Sequence, residues 1–254
     1  MRICSIFIFI FLIQCSGSRD STDIKKYSIG EDTVGLHLTV YYPLDSSVSF
    51  INLHDDENTS VKAGEDFLSK YGGSLLQLQH SGKRHVTFIL NGQSFSFDPN
   101  RIFTSNGLKA TLKKLSVYRQ DAAIEVKKFA ESILKNYVDN RKLVITLHNN
   151  TERGLSILSY KKGQHEAKNA ARVFTNPQMN PHNFILTTET NFFRYLKQRK
   201  LNVVLQHHKP HDDGSLSVYA GKKKIPYINI EALHGHLDEQ TRMLEVLKDI
   251  IFRY

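Results

Sequence analysis

Cysteine is nearly absent from this chain of 254 residues: only Cys4 and Cys15 occur, both near the start. The segment beyond residue 15 therefore has no disulfide, no thiolate metal site and no cysteine nucleophile. No Gly-rich phosphate loop and no Gly-x-Ser-x-Gly elbow is present, so a serine triad is unsupported. It shows no internal repeat and no Pro/Gly-rich linker, so a single large domain with a full core is expected over residues 34–254. The net charge is +9, but no array of aromatic and basic residues suits nucleic acid. The excess is spread widely, with one cluster at Lys222-Lys223-Lys224. It reads first as a solvated basic surface, and beyond that as suited to anionic envelope polymers or lipid head groups.

What the chain does have begins at its start. Arg2 precedes an almost wholly apolar run over residues 3–13. That run is too short for a mature membrane span and reads as the core of a secretory signal. Leu12-Ile13-Gln14-Cys15 resembles a bacterial lipoprotein box with Cys15 as the lipidated residue, although Gln14 stands where a small residue is usual. The alternative is an ordinary signal cut near residues 16–18. Either way an exported, cell-envelope or periplasmic protein is expected, with a membrane anchor if Cys15 is lipidated. Removing residues 1–14 takes away only Arg2 and leaves +8. Residues 16–33 are polar and read as a tether.

Apolar runs predict strands over residues 36–42, 48–53, 74–79, 85–90, 94–97, 143–147, 155–160, 184–188, 202–205 and 227–230. Asn91-Gly92 marks a hairpin turn. Helical spacing predicts helices over 61–71, ended by Gly72-Gly73, and over 119–138, 191–199 and 239–252. Alternating strands and helices predict an α/β fold, a mostly parallel mixed sheet sandwiched by helices. In such sheets, sites gather at the carboxyl ends of strands. His54, His148 and Glu231 each follow an apolar strand. His54-x-x-Glu57 with His148 offers two imidazoles and a carboxylate, a three-ligand set that leaves a fourth position for water, as catalytic zinc sites do. His-x-x-Glu alone recurs by chance on many surfaces.

Four segments occur in order: His54-x-x-Glu57; Asp98-Pro99-Asn100-Arg101-Ile102-Phe103; Leu147-His148-Asn149; and residues 214–219 followed by Ile225-Pro226-Tyr227-Ile228-Asn229-Ile230-Glu231. In order, spacing and strand placement the chain resembles the zinc carboxypeptidase family, the funnelins, over nearly its whole mature length. The resemblance implies one zinc ion per chain held by His54, Glu57 and His148. It implies that Asn100 and Arg101 receive a substrate carboxylate, a task suited to the planar guanidinium fork. It implies Glu231 as general base and acid, and Arg84 as the group that polarises the scissile carbonyl; a surface arginine beside Lys83 is the alternative for Arg84. The chain departs from the family where a substrate-capping tyrosine would fall near Lys209, with His207, His208 and His211 there instead. Tyr219 matches a different, structural tyrosine, and the acidic residue of the specificity pocket is replaced around Leu216-Ser217. The chain is also shorter than typical members.

The expected activity is cleavage of an amide bond beside a free carboxylate, in peptides or peptidoglycan stem peptides. The alternatives are an amidohydrolase of N-acyl amino acids resembling the aspartoacylase and succinylglutamate desuccinylase branch, and a non-catalytic binding lipoprotein of the same fold. Asp55 and Asp56, His234 and His236 are weighed as groups that support the metal ligands, against solvent or loop roles. Asn149 reads as a substrate contact or a turn residue, and His207-His208-x-x-His211 as a second metal site or a polar loop.

Overall fold

The computed structural model describes residues 21–43 and 47–253. The segment expected to be a signal, and Cys15, lie outside them. Eleven strands and six α-helices follow in the order β1 (Ser21–Ile29), β2 (Asp32–Tyr41), β3 (Val48–Asn52), α1 (Asn58–Tyr71), β4 (Gly73–Gln79), β5 (Val86–Leu90), β6 (Gln93–Phe97), α2 (Ser105–Leu115), α3 (Gln120–Ile133), β7 (Leu143–Asn150), β8 (Ala170–Phe174), β9 (Phe184–Thr187), α4 (Thr190–Gln198), β10 (Val203–Gln206), α5 (Leu216–Lys223), β11 (Tyr227–Leu233) and α6 (Leu237–Ile251). Nine strands form one mixed sheet in the order β1-β2-β4-β3-β7-β11-β9-β10-β8, and β5 pairs with β6 apart from it. The sheet is parallel through β4-β3-β7-β11 and again at β9-β10; its other pairs are antiparallel.

Side chains alternate between the two faces of a strand, so each central strand feeds two cores. Leu143, Ile145 and Leu147 of β7 and Ile228 and Ile230 of β11 pack with α1, α4 and α6. Val144 and Tyr227 face the other core, with α2, α3, α5 and the β5–β6 hairpin. Burying one such aliphatic side chain stabilises the fold by roughly 1.5–3 kcal/mol. Helix α1 lies unusually close to β7: a Cβ added at Gly64 would come within 2.5 Å of the Leu147 side chain. Glycine there lets the helix settle against the strand that carries the candidate ligand His148.

Residues 21–33 do not form the expected tether. They make an antiparallel hairpin from Ser21↔Val40 to Ile29↔Asp32, turning at Gly30 with φ +57°. Strand β1 is mostly exposed and polar because it is an edge strand, which is why its composition reads as a loop. The strand expected over 155–160 is instead a 3-10 turn, Ile157–Tyr160, closed by reciprocal Ser156 and Ser159 bonds. Helix α3 stops at Ile133 and continues as a wider π turn, Leu134–Val138. Helices α2 and α5 and strand β8 were not expected. Thr104 and Ser215 cap the two helices, their hydroxyls accepting from Gly107 N and Val218 N. Among the described residues no helix is long and apolar enough to cross a membrane.

Candidate metal centre

Three sheet strands deliver the central residues. His54 follows β3, His148 lies in β7 and Glu231 in β11. His148 and Glu231 are register partners in the parallel β7–β11 ladder, so both point to the same face. Glu57 closes the turn from β3 into α1, where its backbone N–H donates to His54 O at 3.2 Å. His54, Glu57 and His148 are 1%, 3% and 2% exposed. Burial this deep is rare for a carboxylate without a partner.

The partners are each other. His54 Nδ1 lies 2.9 Å from Glu57 Oε1, and His148 Nδ1 lies 3.0 Å from Glu57 Oε2. The two Nδ1 atoms are 3.2 Å apart. Two nitrogens held by one tetrahedral ion at about 2.0–2.1 Å would be separated by about 3.3–3.4 Å, so the spacing suits a shared ion. It is the only cluster of three or more potential ligands among the described residues. His54 Nε2 lies 2.9 Å from Asp98 Oδ1. Donating there places the proton on Nε2 and leaves the Nδ1 lone pair facing the cluster. The donor set fits a borderline divalent metal ion.

Without a metal, charge holds the cluster. Burial opposes ionisation of His54, but the Glu57 carboxylate and the Asp98 bond outweigh it and lift its pKa to about 9. Burial pushes Glu57 upward, yet the two imidazoles hold it well below the usual carboxylate range. Asp98 is held low by His54 and the nearby Arg101 and Arg84 despite its own burial. Glu231 differs: burial raises it, with the Glu57 charge adding to the effect, although His148 and Asn229 pull the other way. Its only hydrogen bond among the described residues comes from Asn229 Nδ2, at 3.0 Å to Oε1. A buried carboxyl raised in pKa beside a ligand cluster has the character of a proton-transfer group.

Arg84 is no detached surface residue. Its Nη1 donates to Glu57 Oε1 at 2.8 Å, and its Nε lies 3.8 Å from Asp98 Oδ2. Asp98, Asn100 and Arg101 sit on a 3-10 turn, Pro99–Arg101, with Asp98 as its cap and Pro99 at the first position. Asn100 Oδ1 accepts from Leu216 N at 3.0 Å, and Asn100 Nδ2 lies 3.5 Å from His148 Nε2. Arg101 is half-exposed, with its Nε 3.6 Å from Asp213 Oδ2. The turn meets residues 212–216 through Gly107 and Gly214, packed so tightly that a Cβ at 107 would lie 2.1 Å from Gly214 Cα.

Other candidate supports fall elsewhere. Asp55 Oδ2 accepts from the backbone N–H groups of His80, Ser81 and Gly82 at 2.7–2.8 Å, shaping a loop rather than orienting a histidine. Asp56 Oδ1 is buried without a hydrogen bond. Asn149 bridges Ser60 N at the start of α1 to Gln240 of α6. His236 precedes α6 and lies 3.3 Å from Asn183. The His207 and His208 rings lie 4.2 Å apart at a tilt of 39°, but the loop 207–211 assembles no three-ligand cluster. The sequence reading missed Asp98 as the residue that orients His54, though it lies inside the quoted Asp98–Phe103 segment. It also missed Gln240, which donates to His148 O at 3.2 Å. A cavity of about 840 Å³ opens between α2, α3 and α5, lined by Phe103, Leu108, Ile124 and Leu134. None of the cluster residues lines it, so the functional assignment rests on convergent chemistry rather than on volume.

No protein-family model and no curated protein matches the chain. Solved structures do. A product-bound ectoine utilization protein from Ruegeria pomeroyi superposes with TM-score 0.54 at 11% identity, covering 92% of this chain and 66% of that one. A succinylglutamate desuccinylase/aspartoacylase from Rhodobacter sphaeroides gives TM-score 0.48 at 10% identity, covering 91% and 64%. A murein-tripeptide amidase from Escherichia coli O157 gives TM-score 0.46 at 11% identity, covering 87% and 91%. The chain thus spans about two thirds of the length of the first two. At such identities the likeness is one of fold alone, carried by the first of these structures: an α/β architecture with a mixed sheet flanked by helices, as the sequence predicts.

Proposed function

We propose that the protein is a zinc hydrolase that cleaves an amide bond next to a free carboxylate, in peptides or peptidoglycan stem peptides. The observation that carries this reading is the convergence of His54, Glu57 and His148 beside the separate, buried Glu231. A zinc ion held by those three residues supplies positive charge and acidifies water. Everything else falls to the chain. Asp98 keeps His54 in the ligating tautomer. Glu231, raised in pKa by burial, accepts the proton of the attacking water and passes it to the leaving amine. Arg84, at the edge of the cluster, is placed to polarise the scissile carbonyl. Arg101 receives the substrate carboxylate, which competes with Asp213 for the guanidinium. Retention of Glu231 beside the cluster favours an enzyme over a binding module, because a pure binder has no use for a base there.

The test is a panel of free-acid peptides, their terminal amides, stem peptides and N-acyl amino acids, assayed with zinc-loaded protein. Free-acid peptides should be cleaved, and the amides should be slower by about tenfold or more, the worth of a charge-assisted bond. Failure to hydrolyse any member by protein of full zinc content would refute the reading. Cleavage confined to N-acyl amino acids would move it to the amidohydrolase branch. We also infer export with an anchor on Cys15, from the residues that precede it. Mass determination of the mature N-terminus checks this: an unmodified start beyond Cys15 refutes the anchor.

A further inference from the structure

Four buried or half-buried polar side chains line one face of β7 and β11. Tyr227 OH lies 2.6 Å from Thr146 Oγ1, which lies 3.1 Å from Asn229 Oδ1, and Asn229 Nδ2 lies 3.0 Å from Glu231 Oε1. Thr146 and Tyr227 are fully buried. The direction of these bonds follows from donor inventory. A carboxylate only accepts, so Asn229 presents its amide NH₂ to Glu231 and its carbonyl to Thr146. Thr146 has one hydroxyl proton, and Asn229 takes it. Tyr227 must then donate to Thr146. Its phenol is held far above the usual range by burial, so that proton is always present. The chain of donors runs one way and ends on Oε1. Glu231 Oε2 makes no hydrogen bond among the described residues.

We propose that Asn229, Thr146 and Tyr227 are positioning residues: a one-way relay that fixes the Glu231 carboxylate through Oε1 and leaves Oε2 as the oxygen that takes and returns the proton. This rests on Glu231 as the proton-transfer group. Each link polarises the next in a low-dielectric interior, so the bond to Oε1 is stronger than an isolated amide would make. The register partners Tyr227↔Val144 and Asn229↔Thr146 place all members on one face without a loop.

The experiment combines a spectroscopic readout with kinetics. In protein carrying carboxyl-labelled glutamate, the Glu231 NMR signal is assigned by its loss in Glu231→Gln. It should move in Asn229→Leu and in Thr146→Val, and return to the wild-type position in Thr146→Ser, which keeps the hydroxyl. On a cleaved substrate, Asn229→Leu should lower kcat by about 10- to 100-fold and Thr146→Val by about 3- to 10-fold, with KM and zinc content unchanged. Tyr227→Phe should cost about threefold at most, since its donation reaches Glu231 through two links. Thr146→Val combined with Tyr227→Phe removes the hydroxyl that the single change would strand, separating loss of the relay from loss of stability. An unmoved Glu231 signal in Asn229→Leu, or a Thr146→Ser protein as impaired as Thr146→Val, overturns the relay. If the wild type cleaves nothing, the hydrolase reading falls, and the NMR shifts still decide whether the relay holds Glu231.

Discussion

Asp98→Asn isolates the residue that orients His54. The asparagine keeps an oxygen that can accept from His54 Nε2 and from Asn100 N, which contact Asp98 Oδ1 at 2.9 and 2.8 Å, so the turn should survive. What is lost is the negative charge behind the ligand, and such losses lower metal affinity by about 10- to 100-fold. A second effect opposes the first. With His54 lifted to about 9 in the metal-free protein, a proton competes with the metal at pH 7 by about a hundredfold. Asp98 is one cause of that rise, so its neutralisation also weakens the competitor. Near neutrality the two effects partly cancel; above pH 9 only the loss of ligand support remains. Zinc affinity, measured against a competing chelator from pH 6.5 to 9.5, should rise steeply with pH for wild type and less steeply for the variant. The gap should widen to about 10- to 100-fold at the alkaline end. Equal affinities there, or a gap that is the same at every pH, would refute the role of Asp98.

Four other outcomes are expected. Glu231→Gln should retain zinc and melting temperature while losing about 10²- to 10⁴-fold in turnover; a stable, zinc-loaded variant with full activity removes Glu231 from the mechanism. The double change His54→Ala with His148→Ala should abolish stoichiometric zinc by metal analysis, and undiminished binding would redirect attention to the loop 207–211. Arg101→Lys should weaken turnover of free-acid peptides more than of their amides, because a lysine cannot offer the two-pronged donor; equal effects on both refute the carboxylate contact. The metal-free protein should lose stability as pH rises: a His54 pKa raised above its unfolded value adds stability that is full below about 6.5 and lost as pH climbs through about 9. Glu57 and Asp98, both depressed, add stability present above about pH 4 and lost in acid. A chelated protein whose melting temperature is flat between pH 6 and 9.5 contradicts the His54 assignment.

The central strands were legible because buried parallel strands are short apolar runs, and residues 48–53, 143–147 and 227–230 are such runs. The candidate ligand cluster was legible because its histidines stand just past two of them. Strand β1 was hidden by its polarity, which an edge position permits. Helix α2 opens with Ser105-Asn106-Gly107, poor helix formers, and depends on Thr104 as its cap and on Leu108 and Leu112 buried in the core. Of the two roles weighed for Asp55, support of a ligand histidine is not what the structure shows, because nearness in sequence is not nearness around a ring nitrogen. Asp98, 44 residues downstream of His54, reaches it through the 3-10 turn. For Arg84 the sequence leaves a site residue and a surface arginine beside Lys83 as alternatives, and the fold shows it between Glu57 and Asp98.

The pairing of His148 with Glu231 across two parallel strands means that the separation between the candidate ligand and the proposed base is set by the interstrand spacing, about 4.8 Å, and not by any loop. Surface connections on either side can be trimmed or lengthened without altering that separation. A slip of one residue between β7 and β11 is different: it would turn one member of the pair to the opposite face and leave the other in place. On the proposed function, activity is therefore tied to strand register, and a variant that folds with the right elements in a shifted register would be compact, helical and inert.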